Sequence, residues 1–225
     1  MNFIVGAQPY KHNSAGVRVL YELAARLMVR GHGAQVIHPW GIPKSLAERS
    51  IVVYPESIAG NPCGGDKIVR YILNVPGVMG GDKEYAKDEL LVAYRADFAS
   101  YSGGEVLCLP VIEPFFCVDL LVPKLFSVVY VGKGENTSAH PDDCVPITPE
   151  WPRTREQVAF ILQCADVLYT YDGVSAIIDE AERCGCKVIK MPEVKEIKAP
   201  LVPSVKEIDV QMDRFLERCR EKWNN

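Results

Sequence analysis

The sequence predicts an α/β protein: two parallel-sheet halves facing one another across a cleft, with an amphipathic helix at the C-terminal end. Short β-branched runs alternate with segments of helical period over residues 1–115, and the alternation starts again over residues 125–205. The Pro- and Val-rich stretch near residues 110–124 reads as the linker between them. Residues 206–225 place Met212, Phe215, Leu216 and Cys219 on one helical face, with charges of both signs on the other. A chain of 225 residues has room for two small domains of roughly 110 residues each, here of Rossmann-like type.

The first half opens with Asn2 to Val5 as a strand. A helix from Gly16 to Gly31 follows, with Val17, Leu20, Leu23, Ala24, Leu27 and Met28 on its apolar face. Ala34 to His38 and Ile51 to Tyr54 read as strands, Asp66 to Leu73 as a helix, and Leu90 to Tyr94, Phe98 to Tyr101 and Val106 to Leu109 as three further strands. In the second half Leu125 to Val131 is a continuous apolar run suited to a strand buried on both faces. Val145 to Thr148, Val167 to Thr170 and Lys187 to Lys190 continue the sheet. Thr154 to Cys164 and Ser175 to Cys184 supply its helices.

Composition narrows the function. With 48% hydrophobic and 24% charged residues the chain is no disordered tail. A net charge of −4 gives it no global attraction to nucleic acid or anionic lipid, so any phosphate must be met locally. The first residues, MNFIVGAQPY, lack a basic leader and read as a strand, and the longest apolar stretch is broken by Asp119, Pro123 and Lys124. The expectation is a cytoplasmic protein without a transmembrane segment, peripheral membrane contact remaining open. The eight cysteines include no CxxC pair, which fits reduced thiols. Cys184-Gly185-Cys186 is the one close pair, open to metal or redox use or to packing at a helix end.

Open α/β sheets bind ligands in the crevice at the carboxyl ends of their strands, so the loops there carry the chemistry. The richest block runs from Tyr169 to Ile189 and joins a strand, a tight turn, a helix and the next strand. Gly173 lets backbone approach a ligand, and the free N–H groups near Ser175 and Ala176 suit a diphosphate. Ser175 serves equally well as a helix N-cap, and Asp172 as a turn residue. Asp172 and Glu180 stand at positions able to grip an extended ligand at points roughly 12 Å apart.

This block resembles the retaining glycosyltransferases of the two-domain GT-B type, family 4 in particular, through the acid-x7-Glu spacing of Asp172 and Glu180 and the following Ala181 to Ile189. Family 4 usually has Glu where Asp172 stands. Tyr130-Val-Gly-Lys-Gly134 resembles the first strand and turn of that family's donor domain, and Asn13 to His32 its glycine-rich first loop and long helix, with Gly16 in place of the usual glycine pair. Val53 to Pro62 and Val69 to Gly77 resemble the surface-polysaccharide branch.

The resemblance implies residues 1–115 as the acceptor-side domain, 125–205 as the nucleotide-sugar-binding domain and 206–225 as a closing helix. It implies that Glu180 holds the ribose, that Asp172 with Gly173 and Val174 contacts sugar hydroxyls, and that Lys133, after Gly132, meets the diphosphate. Ser175, Ala176 and Gly16 also line the donor, Ile147 and Thr148 cover the nucleobase, and His12 with Asn13 faces the acceptor. No cofactor or metal is implied, the leaving diphosphate being held by basic and backbone groups. The implied reaction moves a sugar from a nucleotide-diphosphate sugar to a saccharide, lipid-linked saccharide or other hydroxyl acceptor with retention. The rival is a protein that binds the nucleotide sugar without transferring it. A Rossmann oxidoreductase is disfavoured because no Gly-x-Gly-x-x-Gly follows a strand.

Overall fold

The computed structural model describes residues 1–135 and 137–223. They form two compact units: residues 1–111 with the C-terminal segment from Val202, and residues 112–201. Each holds one sheet of five strands in which parallel pairing dominates.

In the first unit β1 (Asn2–Gly6), β2 (Gly33–Ile37), β3 (Ile51–Pro55), β4 (Ile68–Ile72) and β5 (Leu90–Ala93) lie in the order β2-β1-β3-β4-β5, all parallel. Alternation along each strand sorts the side chains. Phe3, Val5, Val53, Val69 and Tyr71 face one core, which α1 (Ala15–Val29) fills with Leu20, Leu23 and Leu27. Ile4, Val52, Tyr54 and Ile68 face the other, closed by Ile42, Ala47 beside the short α2 (Lys44–Ala47), Ile58 and Cys63. The C-terminal helix α5 (Val205–Trp223) lays Ile208, Met212, Phe215, Leu216 and Cys219 on the α1 side of this sheet. Its apolar face was legible; its place as part of the first unit was not.

Three expected elements differ. Residues 68–72 form a strand buried at every position, not a helix, because the β-branched and aromatic Ile-Val-Arg-Tyr-Ile run pairs on both sides. Phe98 to Tyr101 lies in a 3-10 helix, Ala96–Tyr101. Val106 to Leu109 forms only a bridge from Val106 to Ala93, although Leu107 and Leu109 are buried.

The second unit contains β6 (Phe126–Tyr130), β7 (Val145–Ile147), β8 (Ala165–Thr170), β9 (Lys187–Lys190) and β10 (Lys195–Glu196). Their order is β10-β9-β8-β6-β7, with only the β10–β9 pair antiparallel. Val128, Leu168 and Val188 face α3 (Arg155–Cys164) and α4 (Ile177–Arg183), whose Ala159, Leu162, Ile177, Ile178 and Ala181 complete the core. Thr154 caps α3 through a reciprocal box with Gln157. No helix among the described residues is long and apolar enough to cross a membrane.

Candidate functional site

The order of strands in the second unit decides where its crevice lies. From β6 the chain crosses to β7 on one side, and from β8 to β9 on the other, so the topological switch point falls between β6 and β8. Two turns flank it, Gly132–Lys133–Gly134 after β6 and Tyr171–Asp172–Gly173 after β8. Both were singled out by the sequence.

Asp172 joins these turns. Its carboxylate accepts from the Lys133 N–H at 3.3 Å through Oδ2 and from the Val174 N–H at 3.2 Å through Oδ1. The side chain is 5% exposed, and the Thr170 hydroxyl fixes its backbone by accepting from the Asp172 N–H at 3.1 Å. Asp172 is therefore a buried side chain that holds two backbone N–H groups in place. Only glycines fit beside it. Gly132 has φ 58°, and a Cβ there would lie 2.5 Å from Tyr130 Cε1 and 2.8 Å from Asp172 Cβ, while at Gly134 it would strike the Tyr171 carbonyl.

The Lys133 side chain is exposed. A second lysine, not singled out by the sequence reading, stands nearby: Lys190 Cε is 3.3 Å from where a Cβ on Gly173 would be, and its Nζ pairs with Glu193 at 3.0 Å. Its position as the last residue of β9, at the carboxyl end of a strand, is the signal that would have found it. Ser175 is not the cap of α4; Ala176 occupies that position, without a side-chain cap. Burial raises the pKa of the Tyr130 phenol, a shift that the neighbouring Ser175 side chain partly offsets.

Glu180 lies on α4, 2% exposed, and both its oxygens meet Arg155, at 2.5 Å through Oε1 and 3.1 Å through Oε2. Arg155 also grips Glu113, at 2.9 and 3.2 Å, and its guanidinium sits 4.5 Å from the centroid of the Phe116 ring. Burial works against the charge on Arg155, but the two carboxylates overcome it and raise the pKa. This Glu113–Arg155–Glu180 network joins positions far apart in sequence, and no local motif announces it.

Ile147 is packed in the core at the end of β7. Thr148 is exposed, with its hydroxyl accepting from the N–H groups of Glu150 and Trp151 in a tight turn. Gly16 lies in the first turn of α1, and His12 and Asn13 are exposed on the loop before it, so these belong to the first unit and the other singled-out residues to the second. Cys184 and Cys186 are buried thiols that donate to carbonyls, Cys186 Sγ to Leu162 O at 3.0 Å. Burial pushes them up to about 12 and about 11, leaving little thiolate at neutral pH. Among the described residues no group of three or more His, Cys, Asp or Glu is placed to hold a metal ion.

At the switch point the two turns are tied together through the Asp172 carboxylate, beside an exposed lysine, Lys133, and a second lysine, Lys190, against the Gly173 turn. Neither a protein-family model nor a curated protein matches the sequence.

Proposed function

We propose that the second unit binds a nucleotide-diphosphate sugar at the β6–β8 switch point and that the protein is a retaining glycosyltransferase, its two units acting as the acceptor and donor halves of a GT-B enzyme. The observation that carries this reading is the double anchorage of Asp172, which brings the Gly132–Lys133 turn and the Gly173–Val174 turn to one crevice. Diphosphate oxygens need convergent donors and positive charge. The first-turn N–H groups after Gly173 lack intrahelical acceptors by geometry and supply the donors; Lys133 supplies the charge.

In the transfer itself the bond from the sugar's anomeric carbon to the diphosphate breaks. The bond to an acceptor hydroxyl oxygen forms on the same face, and the hydroxyl proton passes to the departing phosphate oxygen. Negative charge gathers on that oxygen as the bond lengthens, and Lys133 opposes it there, with no divalent ion required. In this reading Glu180, held by two bonds to Arg155, is assigned to the ribose.

The rival reading, binding without transfer, draws on the same commitment of Glu180 to Arg155. One experiment separates them: incubate the full chain with a panel of nucleotide sugars in excess EDTA, then assay free nucleoside diphosphate and new glycoside. Release matched by glycoside formation supports transfer. Tight binding with no release leaves a binding protein, and a panel in which nothing binds removes the nucleotide sugar from the β6–β8 crevice.

A further inference from the structure

The connection from β6 to β7, residues 131–144, joins parallel strands, and its described residues contain no helix, although such a crossing is usually made by one. Something other than helix packing holds it. Two neighbouring residues just past β8, Tyr171 and Asp172, do so. At the near end the Gly134 N–H closes the turn on Val131 O at 3.0 Å, the Lys133 N–H donates to Asp172, and a Cβ on Gly134 would strike the Tyr171 carbonyl. Farther along, the Ala139 N–H donates to the Tyr171 hydroxyl at 2.9 Å, and His140 Nδ1 lies 2.9 Å from the same oxygen. The His140 and Tyr171 rings meet edge to face, their centroids 5.7 Å apart.

Tyr171 is a firm post for this contact. It is 6% exposed, packs with Val129, Ile189 and Met191 in a cluster separate from the core under α3 and α4, and donates its own N–H to Tyr130 O at 3.1 Å. A phenol offers one hydrogen and two lone pairs. The Ala139 N–H takes a lone pair, and a buried hydroxyl hydrogen without an acceptor is costly, so the phenol donates to His140 Nδ1, whose own hydrogen then sits on Nε2.

This brace bears on Lys133. At 3.3 Å the bond from the Lys133 N–H to Asp172 lies past the usual N–H···O range of about 2.7–3.2 Å, so alone it holds the turn weakly. Tyr171 fixes the other end of the stretch at Ala139, and a stretch tied at both ends has little conformational freedom left to lose when a ligand binds. We propose that Tyr171 and His140 are positioning residues: by bracing the β6–β7 loop at Ala139 they hold the Gly132–Lys133 turn where Lys133 meets a diphosphate. This deepens the nucleotide-sugar reading and rests on it for the diphosphate as ligand. Neither residue touches the ligand in this scheme; both act through the loop.

The test is calorimetric titration of inorganic pyrophosphate and of a nucleoside diphosphate into the full chain, into Tyr171→Phe, His140→Leu and His140→Asn, and into Lys133→Ala with and without Tyr171→Phe, together with amide hydrogen exchange of the free proteins. Tyr171→Phe keeps the ring and drops the hydroxyl. It binds pyrophosphate about fivefold more weakly, and the Lys133 and Ala139 amides exchange faster. His140→Leu acts the same way through the lost acceptor, and His140→Asn, whose amide oxygen falls near the place of Nδ1, recovers affinity to within about twofold of the parent. In the Lys133→Ala background Tyr171→Phe costs no further affinity, a result that a general loss of structure would not give. The proposal is overturned if Tyr171→Phe binds as tightly as the parent, if its Lys133 amide keeps full protection, if its loss is the same with and without Lys133, or if neither diphosphate binds the parent. Brace-dependent pyrophosphate binding, with no preference for the nucleoside diphosphate and no glycoside formed from any nucleotide sugar, keeps this proposal and rejects glycosyl transfer. Transfer by a Tyr171→Phe variant of parental affinity does the reverse.

Discussion

Both units repeat one strand order, with the first strand between the second and third and the switch point beside it, yet they bury their charges differently. The first unit places Arg70 in the middle of β4 at 0% exposure, flanked by the rings of Tyr54 and Tyr85. That guanidinium is bonded to Glu89 at 2.9 and 3.0 Å and donates to the carbonyls of Ile58 and Gly60 at 2.6 and 2.9 Å. It pins the β3–β4 and β4–β5 connections to the sheet. The second unit buries Asp172 past its third strand, where its partners are backbone N–H groups of two turns, as the first unit's Glu56 past β3 accepts from the Leu73 N–H. With one strand order in both units, buried Arg70 holds two connections to its sheet and buried Asp172 ties two turns to each other.

The comparison breaks most visibly at Arg70. Arg70→Met keeps much of the volume but leaves Glu89, 9% exposed, and two carbonyls without their partner. Removing one member of a buried pair costs about 3–5 kcal/mol. Chemical denaturation should show that loss in the first unit, with ligand binding by the second unit retained in the folded fraction. A loss below about 1 kcal/mol would mean that Arg70 is a spectator and that the pin lies elsewhere.

Lys133→Ala tests the other side of the contrast. In the proposed transfer, charge on the leaving diphosphate grows toward the transition state, so the loss should appear in the chemical step more than in donor affinity. A preorganised contact of this kind is worth about 2.7–4 kcal/mol, on the order of a hundredfold to a thousandfold in single-turnover rate. Stability should change by no more than about 0.5 kcal/mol, since the side chain is exposed. Lys133→Arg should recover part of the rate, as charge is kept while geometry differs. An alanine variant as fast as its parent takes Lys133 out of the site.

Gly132→Ala sharpens the structural half of the argument. The position has φ 58°, and the new methyl would meet Tyr130 and Asp172 at the junction of the two turns. Left-handed backbone at a non-glycine residue costs about 1–3 kcal/mol, the contact adding to it. Denaturation should show a loss in that range accompanied by weaker donor binding. Lost stability with intact binding would separate the turn from the site.

What the sequence disclosed follows the range of the interactions. The crevice turns were legible because each is local: a strand containing Val and Tyr, then a glycine beside a charged residue, Gly132-Lys133 in one and Asp172-Gly173 in the other. β4 was misread because Ile68, Val69 and Ile72 fit a helical spacing as well as a strand, and Arg70 interrupts the apolar run that would mark a buried strand. Only the pairing with β3 and β5 on either side decides it. The Glu113–Arg155–Glu180 network stayed hidden for the same reason, since its members come together only when Arg155 at the start of α3 meets α4 and the segment before β6. Likewise the amphipathic face of α5 announces that it packs, and only the folded first unit shows on what.

The smallest effect is expected at Lys190, and it is the one that distinguishes two lysines at one crevice. Both stand near the turns that flank the switch point, but their surroundings differ. Lys190 is partnered by Glu193 at 3.0 Å, and its side chain is 37% exposed, so much of its field is cancelled locally and screened by solvent. What it presents to Gly173 is the aliphatic stem, with Cε and Cδ at 3.3 and 3.5 Å from a Cβ built there. Lys190→Gln should therefore weaken nucleoside diphosphate binding by about 0.3–1 kcal/mol, roughly twofold to fivefold, and less as salt rises. The single-turnover rate at saturating donor should stay within about twofold of the parent, because a screened charge gains little as the bridging oxygen becomes negative. Calorimetry at two ionic strengths and rapid-quench kinetics measure the two quantities separately. A hundredfold fall in rate for Lys190→Gln, with Lys133→Ala unaffected, would move the diphosphate from the β6 side of the crevice to the β9 side and exchange the roles of the two lysines.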